Sequence, residues 1–224
     1  MSIEIRKFRK NNDGLELITA ADSSIILGRL VWDPVIGKPS FTKKGMPSHL
    51  VQALTTGDVI SKEQMVAFEN ELRNVELGPA EIADKVIDVD ISTVSAFEHP
   101  KLGELNKSFE LESIKKFTFE NLQARSMTSL QRVQIDEWLD ELKETNWKEY
   151  KRAMRRAFMI TTLYYGSAKI VVDRQLSAQV EAGIAAANLK VLSKLEASRS
   201  VEYTFDHDAL PFAMRLEKVR EFVG

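Results

Sequence analysis

Residues 189–219, LKVLSKLEASRSVEYTFDHDALPFAMRLEKV, decide the fold class of this chain. Leu189, Val191, Ser193, Leu195 and Ala197 fall on one side of an extended backbone, and Lys190, Lys194, Glu196 and Ser198 fall on the other. Val201, Tyr203 and Phe205 then alternate with Glu202, Thr204 and Asp206. After the polar turn Asp206-His207-Asp208, alternation resumes from Pro211 to Val219. Side chains of a strand point to opposite faces with period two, so this pattern predicts three short antiparallel strands, each with one half-buried face.

Working outward, residues 158–172 are the strongest apolar strand text, FMITTLYY, a Gly166-Ser167 interruption, then Lys169-Ile170-Val171-Val172. Between the two strand regions, 175–188 reads either way. Ala178, Val180, Ala182 and Ile184 alternate, yet the alanines equally suit a helix. Upstream, Ser129–Lys143 is predicted to be the best helix, with Leu130, Val133, Trp138, Leu139 and Leu142 near one face. A second helix over Trp147–Arg156 spaces Trp147, Tyr150 and Met154 at i, i+3, i+7, with Lys148, Lys151, Arg152, Arg155 and Arg156 crowding its other side and its C-terminal end. Cations there complement the helix dipole, and the acidic run Asp136, Glu137, Asp140 and Glu141 offers neutralisation.

In the first half, 109–122 reads as strand, and Ile87, Val89 and Ile91 alternate with Asp88 and Asp90, a wet strand face rather than a metal pair. Ser61 caps a predicted helix, with Gln64 placed for a capping box and Met65, Phe68 and Leu72 as its apolar stripe. A further helix is expected over Met46–Leu54, with Pro47 in its first position. Residues 3–32 suggest a meander of short strands turned at Asn11-Asn12-Asp13-Gly14. The basic cluster Arg6, Lys7, Arg9 and Lys10 fits either a guarded strand edge or contact with an acidic surface.

Composition narrows the function classes. The 224 residues are 44% hydrophobic and 29% charged, an ordinary globular mixture long enough for a proper core. A net charge of -2 supplies no global attraction to nucleic acid, which is not expected as a partner. There is no cysteine, hence no disulfide framework, thiolate metal site or thiol nucleophile, and a reducing intracellular compartment is the simpler expectation. No secretory h-region or spanning apolar helix is written in the chain. The three histidines, His49, His99 and His207, stand apart without HExxH spacing, no serine has a GxSxG elbow, and Gly37-Lys38 lacks the rest of a P-loop. The expectation is therefore no catalytic residue, no metal and no cofactor.

Four stretches taken in order resemble the pore-forming domain of the gasdermin family, particularly its short microbial (bacterial or fungal) members. SIKKFTFENL at 113–122 is similar to a family strand with aromatic and acidic text, and LQRVQIDEWLDEL at 130–142 occupies the place of a family helix. RAFMITTLYYGSAKIVVD at 156–173 resembles its long hydrophobic strand, and SRSVEYTFDHDALPFAMRLEKV at 198–219 its closing strands. The resemblance covers about half of the chain. It implies an α+β domain over residues 1–224, a twisted, mostly antiparallel sheet with packed helices and no separate inhibitory domain. It further implies a cytoplasmic protein that oligomerises with itself on acidic membrane lipids into a β-barrel pore, a cell-death effector in defence or allorecognition.

A membrane strand needs about 9–11 residues, apolar toward lipid and polar toward the lumen. Residues 85–98 with the strand from Phe109, and 168–181 with 188–198, meet that length. Ile87, Val89, Ile91, Ile170, Val172, Val191 and Leu195 are then expected to face lipid, with Lys190, Lys194 and Glu196 lining the conduit. Arg6, Lys7, Arg9, Lys10, Lys151, Arg152, Arg155 and Arg156 are expected to contact acidic headgroups. The sequence departs from the family's plan in lacking both the inhibitory domain of animal members and the lipidated cysteine of many bacterial ones. An already active form, or one held by an inhibitory or activating partner or released by a protease, is expected in consequence. A soluble binding or scaffold protein with the same sheet is the open alternative.

Overall fold

The computed structural model of the chain describes residues 8–18, 25–32, 46–89, 114–153, 157–186, 188–205 and 211–222. In chain order they form β1 (Glu16–Leu17), β2 (Leu30–Trp32), α1 (Leu50–Thr56), α2 (Lys62–Arg73), β3 (Gly78–Pro79), β4 (Ile87–Val89) and β5 (Ile114–Ser126). Then come α3 (Ser129–Thr145), α4 (Trp147–Ala153), β6 (Ala157–Asp173), a 3-10 turn (Arg174–Leu176), α5 (Ser177–Ala186), β7 (Val191–Glu196), β8 (Ser200–Phe205), β9 (Ala213–Lys218) and α6 (Val219–Phe222). The fold is α+β, as expected, with the strands joined in one antiparallel sheet.

β6 is the spine of that sheet. One of its flanks carries β2 at Ala157–Met159 and then β5 from Thr162 to Val172; the other carries β9 from Phe158 to Tyr164 and then β8 from Ala168 to Asp173. Apolar side chains leave β6 in both directions along its first half. Tyr164 joins one core cluster with Phe119, Phe212, Ala213 and Leu17, while Leu163 and Tyr165 join a second with Leu30, Ile135, Leu139 and Met214. The second half alternates. Ala168, Ile170 and Val172 are buried in the first cluster, whereas Ser167, Lys169, Val171 and Asp173 on the reverse face are only half-buried. Helices α1 to α4 therefore cover the reverse face over the first half of β6, and no described helix covers it over the second.

Local signals behave as their chemistry demands. Ser61 and Gln64 form the capping box that starts α2, and Phe68 and Leu72 are its buried stripe. Thr128 and Gln131 form a second box at the start of α3. Gln131 Oε1 accepts from the Thr128 amide at 3.0 Å, so the cap holds this side chain against the helix start, and the core face of α3 becomes Gln131, Ile135, Leu139 and Leu142. Of the expected face, Leu139 and Leu142 are buried and Trp138 packs against the core, whereas Leu130 is 76% and Val133 53% exposed.

Other expectations need correction. Among the described residues the N-terminal strands make no meander, because β1 pairs with β9 and β2 with β6; the strand expected over residues 3–7 lies outside the described residues. The helix expected from Met46 begins at Leu50, where His49 is the N-cap. Gly166-Ser167 does not interrupt β6; it faces a bulge in β5, where the register moves from Glu120↔Ser167 to Gln123↔Tyr165 and Asn121 takes a positive φ of 52°. Residues 168–181 are not one strand, since β6 ends at Asp173 and Ser177–Ala186 is helical. Nor does this part of β6 pair with β7, because β8 lies between them. β7 has no half-buried face; as the outermost strand it is exposed throughout.

Candidate functional site

The half of the sheet with β5, β6, β8 and β7 side by side is the feature with chemistry on it. On one face Phe117 and Phe119 of β5, Ile170 and Val172 of β6, and Val201, Tyr203 and Phe205 of β8 form a continuous apolar layer, every one of them buried. Register makes this inevitable: Phe117 stands opposite Ile170, which stands opposite Tyr203. α5 covers that layer with Val180 and Ile184.

The other face is polar. Thr118 stands opposite Lys169, and Lys169 opposite Thr204. The Lys169 ammonium lies 3.0 Å from a Glu202 carboxylate oxygen and 3.3 Å from Glu120, so one cation ties three strands together. The hydrogen bond to Glu202, opposed in part by desolvation, holds the Lys169 pKa above its ordinary value. Lys116 on the same face is 3.4 Å from Asp88 of β4. This network was missed in the sequence because positions 120, 169 and 202 are brought together only by non-sequential pairing. The alternation of Ser167, Lys169 and Val171 with the apolar positions was its one trace.

A polar clasp joins α5 to the hairpin of β7 and β8. Lys194 lies 2.8 Å from Glu181 and 2.7 Å from Glu196, and the Tyr203 hydroxyl donates to Glu181 at 3.1 Å. Burial, reinforced by the Glu181 carboxylate, pushes the Tyr203 phenol up to about 12. Hydrogen bonding from Lys194 holds the Glu181 carboxyl below its usual range, and the Lys194 pKa is raised by the same contact.

The expected site residues divide among these surroundings. Ile87 and Val89 on β4 pair with Phe119 and Phe117 and, with Ile170 and Val172, belong to the buried apolar layer. Val191, opposite Phe205, is on the same side, but the bulge between Val191 and Ser193 sets Leu195 opposite Glu202, on the polar face. The same bulge brings Lys194 opposite Tyr203 and Glu196 opposite Val201, so these two are on the apolar side rather than the polar one. Arg9 pairs with the buried Glu16 at 2.9 Å, and Lys10 is exposed. Lys151 is exposed on α4. Phe8, next to Arg9, packs in the first core cluster and Tyr150, next to Lys151, in the second, so Arg9 and Lys151 stand beside different clusters. Arg152 is in α4, but its side chain, like Arg6, Lys7, Ile91, Arg155 and Arg156, lies outside the described residues, as do His99 and His207.

His49 has a structural task. Its Nδ1 accepts from the Val51 amide at 3.3 Å and its Nε2 donates to the Leu27 carbonyl at 2.9 Å, and burial lowers its pKa, so the ring is the neutral tautomer. Among the described residues no group of three or more His, Asp or Glu is placed to hold a metal ion. No helix among them is long and apolar enough to cross a membrane, a statement that does not bear on strands. No protein-family model matches this chain and no curated protein matches it.

Proposed function

We propose that the chain is a gasdermin-like pore-forming effector that binds acidic lipids, assembles with copies of itself and kills its own cell by opening a β-barrel in the membrane, in defence or allorecognition. The observation that supports this reading best is the two-faced wall of β5, β6 and β8. It has an unbroken apolar layer on one side and a polar layer held by Lys169 on the other. A barrel wall requires that distribution, with every backbone group paired between strands. β5 and β6, at 13 and 17 residues, exceed the length of about 9–11 that crosses a bilayer.

In the form described here the apolar layer is covered, so α5 must leave it before the wall can meet lipid. Lipid-facing roles for Ile87, Val89, Ile170 and Val172, and headgroup contact by Lys10, Lys151 and Arg152, belong to that later state. A protein partner, a protease or the membrane itself supplies the free energy for release; before it the protein is cytoplasmic, after it membrane-bound. Planar-bilayer recording tests the reading: stepwise, long-lived conductances support it, and an unaltered bilayer at every protein concentration and with proteolysis counts against it.

A soluble scaffold is the second reading, and full burial of the same apolar layer, with Ile170 and Val172 at 0% exposure, favours it. It requires that α5 never leave the sheet, and that a specific protein partner be retained by the intact fold.

A further inference from the structure

His49 fastens the start of α1 to residues 27–29, and one of its two bonds exists only while the ring is neutral. Nδ1 accepts from the Val51 amide at 3.3 Å and so caps α1, while Nε2 donates to the Leu27 carbonyl at 2.9 Å. Backbone bonds run alongside: the Leu50 amide donates to Gly28, the Leu30 amide donates to Ser48, and Arg29 and His49 form an antiparallel bridge. Gly28 and Arg29 are bonded in turn to Ile160 of β6. The ring packs so closely on Gly28 that an added Cβ would stand 2.7 Å from its Cε1 and 2.9 Å from its Nε2. Behind this fastening, α1 buries Leu50, Val51, Ala53 and Leu54 in the second core cluster.

A proton taken up by this ring goes to Nδ1, where it points at the Val51 amide hydrogen and sets donor against donor. First-turn amides have no carbonyl within their own helix, so Val51 finds no second partner there. The seat offers the charged ring little compensation. His49 is 9% exposed, and the charged groups that face it among the described residues are Glu69 and Arg73 of α2 and Arg29, one carboxylate against two cations. That carboxylate is itself held by Arg73 at 2.6 Å. Burial accordingly lowers the His49 pKa, opposed in part by the Leu27 carbonyl and by Glu69. We infer that His49 is an acid-sensitive latch built into the fold: mild acidification drives its ring into water, frees the first turn of α1 from residues 27–29 and leaves the sheet folded. With the folded pKa below 6.5, the latch is fastened above that pH and gives way as pH falls through the folded value.

The latch is independent of the membrane reading, and its test uses the full chain without lipid. Hydrogen exchange, corrected for the intrinsic effect of pH, should show the protection of Val51 falling roughly tenfold between about pH 7 and 5, with α5 and β5 unchanged. His49→Asn keeps an N-cap oxygen for the Val51 amide but carries no group that titrates, and should make that protection flat over the same range. A second measurement needs no variant: the ring resonances of His49 should report hydrogen on Nε2 alone near pH 7, and protonation of the ring should move the Val51 amide in step. Flat protection of Val51 in the unaltered chain, a pH-dependent loss that survives in folded His49→Asn, loss of α5 protection in step with α1, or a ring that takes up its proton with the Val51 amide unmoved would each overturn the inference.

Discussion

Lys194 of β7 and Glu181 of α5 stand 2.8 Å apart, a pair that fastens the lid of the apolar layer to the edge of the sheet. Glu181→Gln should loosen that lid without emptying the core, because Val180 and Ile184 still pack. Hydrogen exchange should quicken in α5 and β7 and stay unchanged in β5. Equal protection in α5 before and after the change would show that packing alone holds it.

The same clasp has a pH window. The folded Glu181 pKa is depressed below 4.5, so its contribution is present above that value and fades as pH falls through the lower folded one. Lys194 is raised above 10.5, so its contribution is complete below that value and is lost as pH climbs past the folded one. Protection of α5 should therefore be flat between about pH 5 and 10 and decline on the acid side below it. A decline centred near neutrality would contradict this assignment.

The bulge of β5 and Gly166 of β6 are made for each other. A Cβ added at Gly166 would lie 2.8 Å from Leu122 Cδ2 and 3.0 Å from the Glu120 carbonyl oxygen. Gly166→Ala should cost about 1–3 kcal/mol in urea unfolding. Asn121→Val, forced into a left-handed conformation, should cost roughly 1–2 kcal/mol, whereas Asn121→Gly should be near neutral. Equal stability of the valine and glycine variants would dismiss the strain argument.

Lys169→Met removes the cation shared by Glu120 and Glu202, leaving two carboxylates facing each other across β6. A loss of about 1–2 kcal/mol is expected at neutral pH, shrinking as pH falls and the carboxylates take up protons. If this face lines a lumen, Lys169→Glu should also shift reversal potentials toward cation preference. Conductances of unchanged selectivity would remove Lys169 from the lumen.

Reversing the charge of Arg152, Arg155 and Arg156 together should weaken binding to anionic vesicles about a hundredfold or more, at roughly 1 kcal/mol for each lost contact. Binding unchanged in a co-sedimentation assay would move headgroup contact elsewhere, Lys10 being the next residue to reverse.

How much of this was legible depends on distance along the chain. Val201, Tyr203 and Phe205 announced β8 because a strand with one buried face writes its own period, and Ser61 with Gln64 announced α2 because a cap is local. Pairing order was not legible: β8 enters between β6 and β7 although β7 comes first, and nothing local records it. The face of Leu195 was lost to a single bulged residue, since one extra position inverts every side chain beyond it. Leu139 and Leu142 marked the core face of α3 correctly, but Leu130 and Val133 misled through hydrophobicity, where that face continues through Ile135 and Gln131. Residues 177–186 could not be resolved by pattern, because Val180 and Ile184 share a face in a helix and in a strand alike.

Dye release from liposomes tests the central claim most directly, with anionic and neutral vesicles side by side, each with and without limited proteolysis of the protein. The account predicts leakage from anionic vesicles, faster for Glu181→Gln than for the unaltered chain, and none from neutral ones. Intact anionic vesicles with the unaltered chain, with Glu181→Gln and after proteolysis would contradict it and leave the scaffold reading in its place.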